Sequence, residues 1–317
     1  MRVDRESGRD SFNIENRDVS RVKVASYRVV GVVLRKVEDY KLLIKFRLSM
    51  TVVFSSVMAY LIAAGASFHF ASVVILALGG LLVTGAANAL NQVLEKDYDR
   101  LMKRTANRPL AAGRMSVSEA VIAAGFMSLF GISLLALFNP WTAFFGTFAM
   151  MSYAFVYTPL KRISPVAVAV GAVPGALPTL IGCAAAQGEI TLLALTLFTM
   201  QFLWQFPHFF SIGWLGFDDY RKAGYQLIPA ADVQPHPVIG KQALLYTLFL
   251  LPISVLPYWV GGSSVVATAI VLTVGMAYAW FAWRFYRQLD RPAALRLMFF
   301  SFIYIPTVLI VLLIDKL

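Results

Sequence analysis

Charged residues are scarce in this chain. Asp, Glu, Lys and Arg make up 14% of its 317 residues, against roughly 25% in an average soluble domain. Hydrophobic residues make up 59%. That balance excludes an ordinary soluble globular domain and points to a chain that crosses a bilayer several times. Cysteine is scarcer still. Cys183 is the single one, which rules out an intrachain disulfide and a cysteine-only metal cluster. The three histidines, His69, His208 and His236, are too far apart for any two to share a metal ion from one helix. A cleavable leader is not expected either. The first 23 residues are strongly charged, and no short apolar core precedes a small-residue cleavage site.

The formal charge of +11 does not mark a nucleic-acid binder. Twelve of the 28 bases lie in the first 50 residues among seven acids, and the others sit in short segments between apolar runs. From residue 48 the chain reads as nine such runs: 48–66, 70–92, 117–137, 140–158, 165–185, 189–213, 243–261, 264–285 and 295–314. Each is close to the ~20 residues needed to cross ~30 Å of hydrocarbon. The stretch 24–34, interrupted by Arg28, reads as an interfacial helix or a solvated tail.

The bases fix an orientation. Fifteen of the 16 bases after residue 50 fall in the connections after runs 2, 4, 6 and 8, and only Lys316 falls on the other side. The positive-inside rule makes the charged face, and with it the N-terminus, cytoplasmic, with the C-terminus opposite. The two long connections, after runs 2 and 6, share that face.

Both long connections open with acids and continue into bases. In the first, Asn91, Glu95 and Asp99 recur every four residues. Each step of four turns a helix by about 400°, so the three side chains share one face and span ~12 Å along the axis. Asp97 points away from them. Stacked carboxylates repel, and a helix C-terminus favours cations, so the row makes sense if a cation is held there. Mg²⁺ takes oxygen ligands, commonly one or two carboxylates plus substrate phosphates. By spacing alone, a solvated helix end with mixed charges is the favoured reading, since acids four residues apart recur by chance. In the second connection, Asp218 and Asp219 precede Arg221 and Lys222. Just before them, His208 lies inside an apolar run beside Trp204, Gln205, Phe206, Phe209 and Phe210. A polar group at that depth needs a partner or a task. Lys161 and Arg162, between runs 4 and 5, face the same compartment as both acidic segments.

Taken together, the Asn91–Glu95–Asp99 row, "MKRTANRPL" (102–110), "YTPLKR" (157–162) and "WQFPHFF" (204–210) with "DDYRKAG" (218–224) resemble the UbiA-type intramembrane prenyltransferases. Within these they are similar to the branch that farnesylates haem. The resemblance runs from about residue 40 to the C-terminus. It implies an all-α polytopic membrane protein of nine transmembrane helices around a central cavity (41–317), preceded by a cytoplasmic N-terminal extension (1–40). It implies that farnesyl diphosphate loses diphosphate while its C1 joins the 2-vinyl group of haem B, which gains a hydroxyl from water to give haem O. Haem B is then a substrate, and Mg²⁺ the cofactor.

Carried over by motif, Asn91, Glu95, Asp99 and Asp219 are the catalytic set. Asn91, Glu95 and Asp99, with Asp218 and Asp219, are the metal set. Lys103, Arg104, Arg108, Lys161, Arg162 and Lys222 are diphosphate contacts, and His208, Trp204 and Gln205 haem contacts. Glu95 stands where the superfamily often has Asp, and the second motif departs from its two spaced aspartates. The implied setting is a bacterial inner membrane, with haem A synthase or a terminal oxidase assembly receiving the product. Two rival readings are a prenyltransferase for a quinone or chlorophyll precursor and a transporter. "WQFPHFF" argues against the first. Acids at helix ends, with only His208 deep in an apolar run, argue against the second.

Overall fold

The computed structural model describes residues 31–232 and 234–317. The stretch 24–34 therefore lies mostly outside the described residues. Residues 31–43 are helical, and the chain divides at Leu42 into a short N-terminal unit and the body of the fold, Leu43–Leu317.

The body is built from long helices: α1 (Phe46–Ala64), α2 (Phe70–Asp99), α3 (Val117–Ala136), α4 (Pro140–Met151, prolonged to Leu160), α5 (Ala167–Gln187), α6 (Leu192–Leu215), α7 (Val238–Ile253), α8 (Val265–Gln288) and α9 (Arg291–Ile314). Their starts are written in the sequence. Ser116, Asn139, Thr191, Ser264 and Asp290 each accept a hydrogen bond from the backbone N–H three residues on, opening α3, α4, α6, α8 and α9. Each satisfies an N–H that the helix leaves without an internal partner.

Eight of these helices, α6 excepted, are long and apolar enough to cross a membrane. α6 has the length, at 24 residues, but Gln201, Gln205 and His208 lower its hydropathy, and all three are buried inside the protein. α2 outruns its expected end at residue 92 by seven residues. The acid row is therefore helical rather than part of a loop. α7 and α9 begin earlier than expected: Lys241 and Gln242 interrupt the apolar run near the start of α7, and Arg291 and Pro292 open α9.

Helix α5 is the central element, with 72% of its apolar window buried. It packs on α1, α4 and α6, while α6 packs on α7 and α9. The approach to α1 is very close: a Cβ on Gly182 would lie 2.0 Å from the Ser56 carbonyl oxygen. Such small-residue contacts are how membrane helices bring backbones together. On the outer side, Ile122, Phe126, Leu129 and Phe130 of α3 are exposed, as a lipid-facing surface requires. Between α6 and α7 lie a short helix, Phe217–Lys222, and a two-stranded hairpin pairing Ala230–Ala231 with Gln234–Pro235.

Candidate active site

Asn91, Glu95 and Asp99 do share one face of α2, and all three are buried, at 0, 5 and 1% exposure. Asp97 is exposed and pairs with Arg100. Each member of the row meets a base from a different part of the chain. Lys45 Nζ donates to Asn91 Oδ1 at 2.8 Å. Lys161 forms an ion pair with Glu95. Arg108 Nη1 donates to both oxygens of Asp99, at 2.8 and 2.7 Å. The Asn91 amide completes the row, donating to Glu95 and to the Thr158 hydroxyl at 2.9 Å each.

Local structure delivers each base. Asn88 donates to the Ile44 carbonyl and Gln92 to the Leu43 carbonyl, clamping the turn before α1. There Lys45 adopts φ 49°, a left-handed conformation uncommon for a side-chain-bearing residue, which ends one helix and starts the next. Arg108 comes back to Asp99 because the chain after α2 folds on itself: Thr105 Oγ1 donates to the Asp99 carbonyl, and Arg100 Nε to the Ala111 carbonyl. Lys161 follows the end of α4, where Ser152–Tyr157 form a π-helical turn. Such turns cluster at functional sites. The Thr158 hydroxyl donates to the Tyr153 carbonyl within it.

Aromatic rings line the bases. Lys161 Nζ lies 4.9 Å from the Tyr157 ring centre and 5.4 Å from that of Tyr225. Arg162 stacks on Tyr98 and donates to its hydroxyl at 2.5 Å. Burial lowers the Lys161 ammonium below the ordinary lysine value of 10.5, against the opposing pull of Glu95. It lowers Lys45 well below that value, with the Arg108 charge adding to the effect. Burial raises the Tyr225 phenol.

The second connection touches the first through its aromatic residues. Arg104 Nη2 reaches the Tyr220 hydroxyl at 3.4 Å, Tyr98 and Tyr225 rings meet at 6.0 Å, and Gln226 N–H donates to the Lys161 carbonyl at 2.7 Å. Asp218 is exposed and lines a cleft of about 260 Å³ with Trp214 and Gln234. Asp219 is half-buried, and no hydrogen bond or ion pair among the described residues joins either aspartate to the α2 row. Lys103 and Lys222 are exposed.

His208 and Trp204 turn toward α9. The two rings stack at 5.2 Å, His208 Nδ1 meets Ser301 Oγ at 2.7 Å, and Trp204 Nε1 donates to the Ser301 carbonyl. Gln205 turns instead to α5, donating to the Ala172 carbonyl. His208 lies seven residues before the end of α6, ~10 Å of helix rise from the membrane face that carries the acid row.

Lys45, Thr158, Tyr98, Tyr157 and Tyr225 escaped the sequence reading. Lys45 sits among the many bases before the first apolar run, where charge suffices to explain it. The tyrosines have no spacing signal, since the elements that carry them meet only in three dimensions.

The donor set suits Mg²⁺. Two buried carboxylates and an amide oxygen face one way, and each has a cation as a partner. Among the described residues no three acidic, histidine or cysteine side chains are grouped as a metal site, so a cation held by this row would need further oxygen ligands from outside the protein.

The fold and site define a membrane prenyltransferase. A digeranylgeranylglyceryl phosphate synthase superposes with a TM-score of 0.74 at 15% identity, covering 89% of this chain and 99% of that one. A UbiA homolog from Archaeoglobus fulgidus, solved bound to GPP and Mg2+, superposes with a TM-score of 0.62 at 14% identity, covering 86% and 99%. Residues 52–303 match the UbiA prenyltransferase family, and the chain belongs to that family. Its curated relatives include the protoheme IX farnesyltransferases of Christiangramia forsetii, 42% identical over 88% of this chain and 93% of the relative, and of Flavobacterium johnsoniae, 42% identical over 88% and 94%.

Proposed function

We propose that this protein is a haem O synthase. It joins C1 of farnesyl diphosphate to the 2-vinyl group of haem B, releases diphosphate, and leaves a hydroxyl from water on the former vinyl carbon. The observation that carries the diphosphate chemistry is the pairing of Asn91, Glu95 and Asp99 with Lys45, Lys161 and Arg108 at the buried end of α2. The haem acceptor is supported by the relatives' names and by a buried histidine among aromatic rings.

Mg²⁺ held by Glu95, Asp99 and the Asn91 carbonyl would neutralise charge on the departing diphosphate. The chain supplies the rest. Arg108, Lys161 and Lys45 turn from the acid row to diphosphate oxygens on binding, so positive charge stands at the leaving group before the C–O bond breaks. Lys103, Arg104, Arg162 and Lys222 surround that face with positive charge, and Asp218 and Asp219 add carboxylates from the second connection. The Tyr153 and Tyr157 rings stabilise the allylic cation, while the apolar bundle keeps bulk water from it. His208 and Trp204 hold the haem; Gln205 braces α6 against α5.

The basic face and residues 1–40 are cytoplasmic in this reading, in a bacterial inner membrane, with the product passing to haem A synthase or a terminal oxidase assembly. Incubating purified protein with farnesyl diphosphate, Mg²⁺ and haem B tests it. Farnesylated haem in the mass spectrum is the expected product; its absence, with the protein folded, would overturn the reading.

A further inference from the structure

The contact between α6 and α9 contains a hydrogen-bond count with one solution. Ser301 is fully buried. Its Oγ lies 2.5 Å from the Met298 carbonyl oxygen and 2.7 Å from His208 Nδ1. Heavy atoms this close need a hydrogen between them. The Met298 carbonyl has none to give, so the Ser301 hydroxyl hydrogen goes to it. A hydroxyl has only one. The hydrogen between Ser301 and the imidazole therefore belongs to Nδ1.

A doubly protonated imidazolium would also supply it, but His208 is 8% exposed and ringed by Trp204, Phe209 and Phe302 at 5.0 to 5.3 Å. No carboxylate is among these neighbours, and an unpaired cation among apolar helices is costly. The ring is neutral, with its proton on Nδ1. Nε2 then carries a lone pair, and no group among the described residues donates to it. The backbone holds this arrangement, because Trp204 Nε1 donates to the Ser301 carbonyl at 2.9 Å and the Tyr278 hydroxyl to the Trp204 carbonyl at 3.2 Å.

We propose that Ser301 is a positioning residue for the acceptor substrate: it locks His208 as the Nδ1–H tautomer and so presents Nε2 as the ligand to the haem iron. The assignment rests on the haem reading of His208. A histidine that binds a metal through one nitrogen characteristically donates its other N–H to a fixed acceptor, and loss of that acceptor costs about 10–100-fold in affinity. Phe302, which edges the His208 ring, is 52% exposed, so the imidazole lies just beneath the α6–α9 surface, where a flat macrocycle dissolved in the bilayer arrives.

Two measurements on the full-length protein in nanodiscs separate this inference from the haem reading. The first uses haem-free protein with ¹⁵N-labelled histidine and with His69 and His236 replaced by Gln. Imidazole nitrogen NMR should show His208 as a single Nδ1–H tautomer in the parent and as a mixture in Ser301→Ala. An Nε2–H tautomer in the parent, or no change in Ser301→Ala, would overturn the inference whatever haem does. The second is a ferric haem titration followed by resonance Raman and optical spectra. His208→Ala should abolish a histidine-ligated spectrum; if that spectrum persists, the haem reading fails while the tautomer result stands. Ser301→Ala should weaken haem binding about 10–100-fold and shift the iron–histidine signature. Ser301→Thr, which keeps the hydroxyl, should restore both. Haem binding by Ser301→Ala indistinguishable from wild type would remove Ser301 from the role.

Discussion

Removing Arg108 should unbalance the protein most when no metal is bound. Its guanidinium donates to both Asp99 oxygens, at 2.7 and 2.8 Å, with the two side chains 16% and 1% exposed. Truncation to alanine leaves a carboxylate buried without its main partner, a loss of about 3–5 kcal/mol for buried pairs. Lys45 also acts on Asp99, which favours the lower end, about 3 kcal/mol or some two decades in the folding equilibrium. Asp99→Asn in the same chain removes the stranded charge, so the double variant should recover most of the loss. Mg²⁺ with inorganic diphosphate should also stabilise Arg108→Ala more than wild type, because the metal takes the vacated place beside Asp99. Thermal unfolding in detergent, with and without Mg²⁺ and diphosphate, reads all three proteins. Equal Mg²⁺ increments in wild type and Arg108→Ala, or a double variant no better than the single, would refute the idea that Arg108 stands in for the metal.

Glu95→Gln and Asp99→Asn should each lower turnover by at least ~10² while leaving helix content unchanged, and near-normal production of farnesylated haem by either would remove the Mg²⁺ assignment. Chelation should abolish turnover in wild type, and added Mg²⁺ should restore it. Burial places the Lys161 pKa below 10.5. Burial lowers Lys45 further still, and the charged forms are the ones that bind diphosphate, so kcat/KM should fall as pH rises through these lowered values, and replacing both Lys45 and Lys161 by Arg should move the fall to higher pH; an identical alkaline limb in wild type and the double variant would exclude both lysines from the binding step. In Gly175→Ala the added Cβ would lie 1.9 Å from Gln205 Oε1, so a loss of about 1–3 kcal/mol from overpacking is expected, and unchanged thermal stability would argue against the α5–α6 contact.

Much of this was legible in the sequence because its cause is local. Apolar runs announce spans, and a four-residue period announces a shared helix face. Asn91, Glu95 and Asp99 could therefore be grouped, and Asp97 set apart, before any coordinates. Partners were not legible, because pairing depends on which elements meet. Nothing near Arg108 says that it folds back to Asp99 rather than facing solvent as Lys103 does. Nothing near Lys45 distinguishes it from the topogenic bases before it. α6 shows the opposite failure of composition: the polar residues that take it below the hydropathy of a span are there because other helices cover them.

Three cations face two carboxylates around Asn91, an excess of one positive charge in a buried place. This arithmetic constrains the order of events. A bare divalent ion would enter a pocket already positive, and a bare diphosphate would enter beside two anions. The magnesium salt of the diphosphate, with most of its charge offset, meets neither objection. On the proposed reading, with both arriving together, Glu95 and Asp99 would pass from their bases to the metal, and Lys45, Lys161 and Arg108 from the acid row to diphosphate. Loading would then resemble double displacement between two ion pairs more than filling a vacancy, and the energy of the encounter would go into opening the bridges that close the resting site.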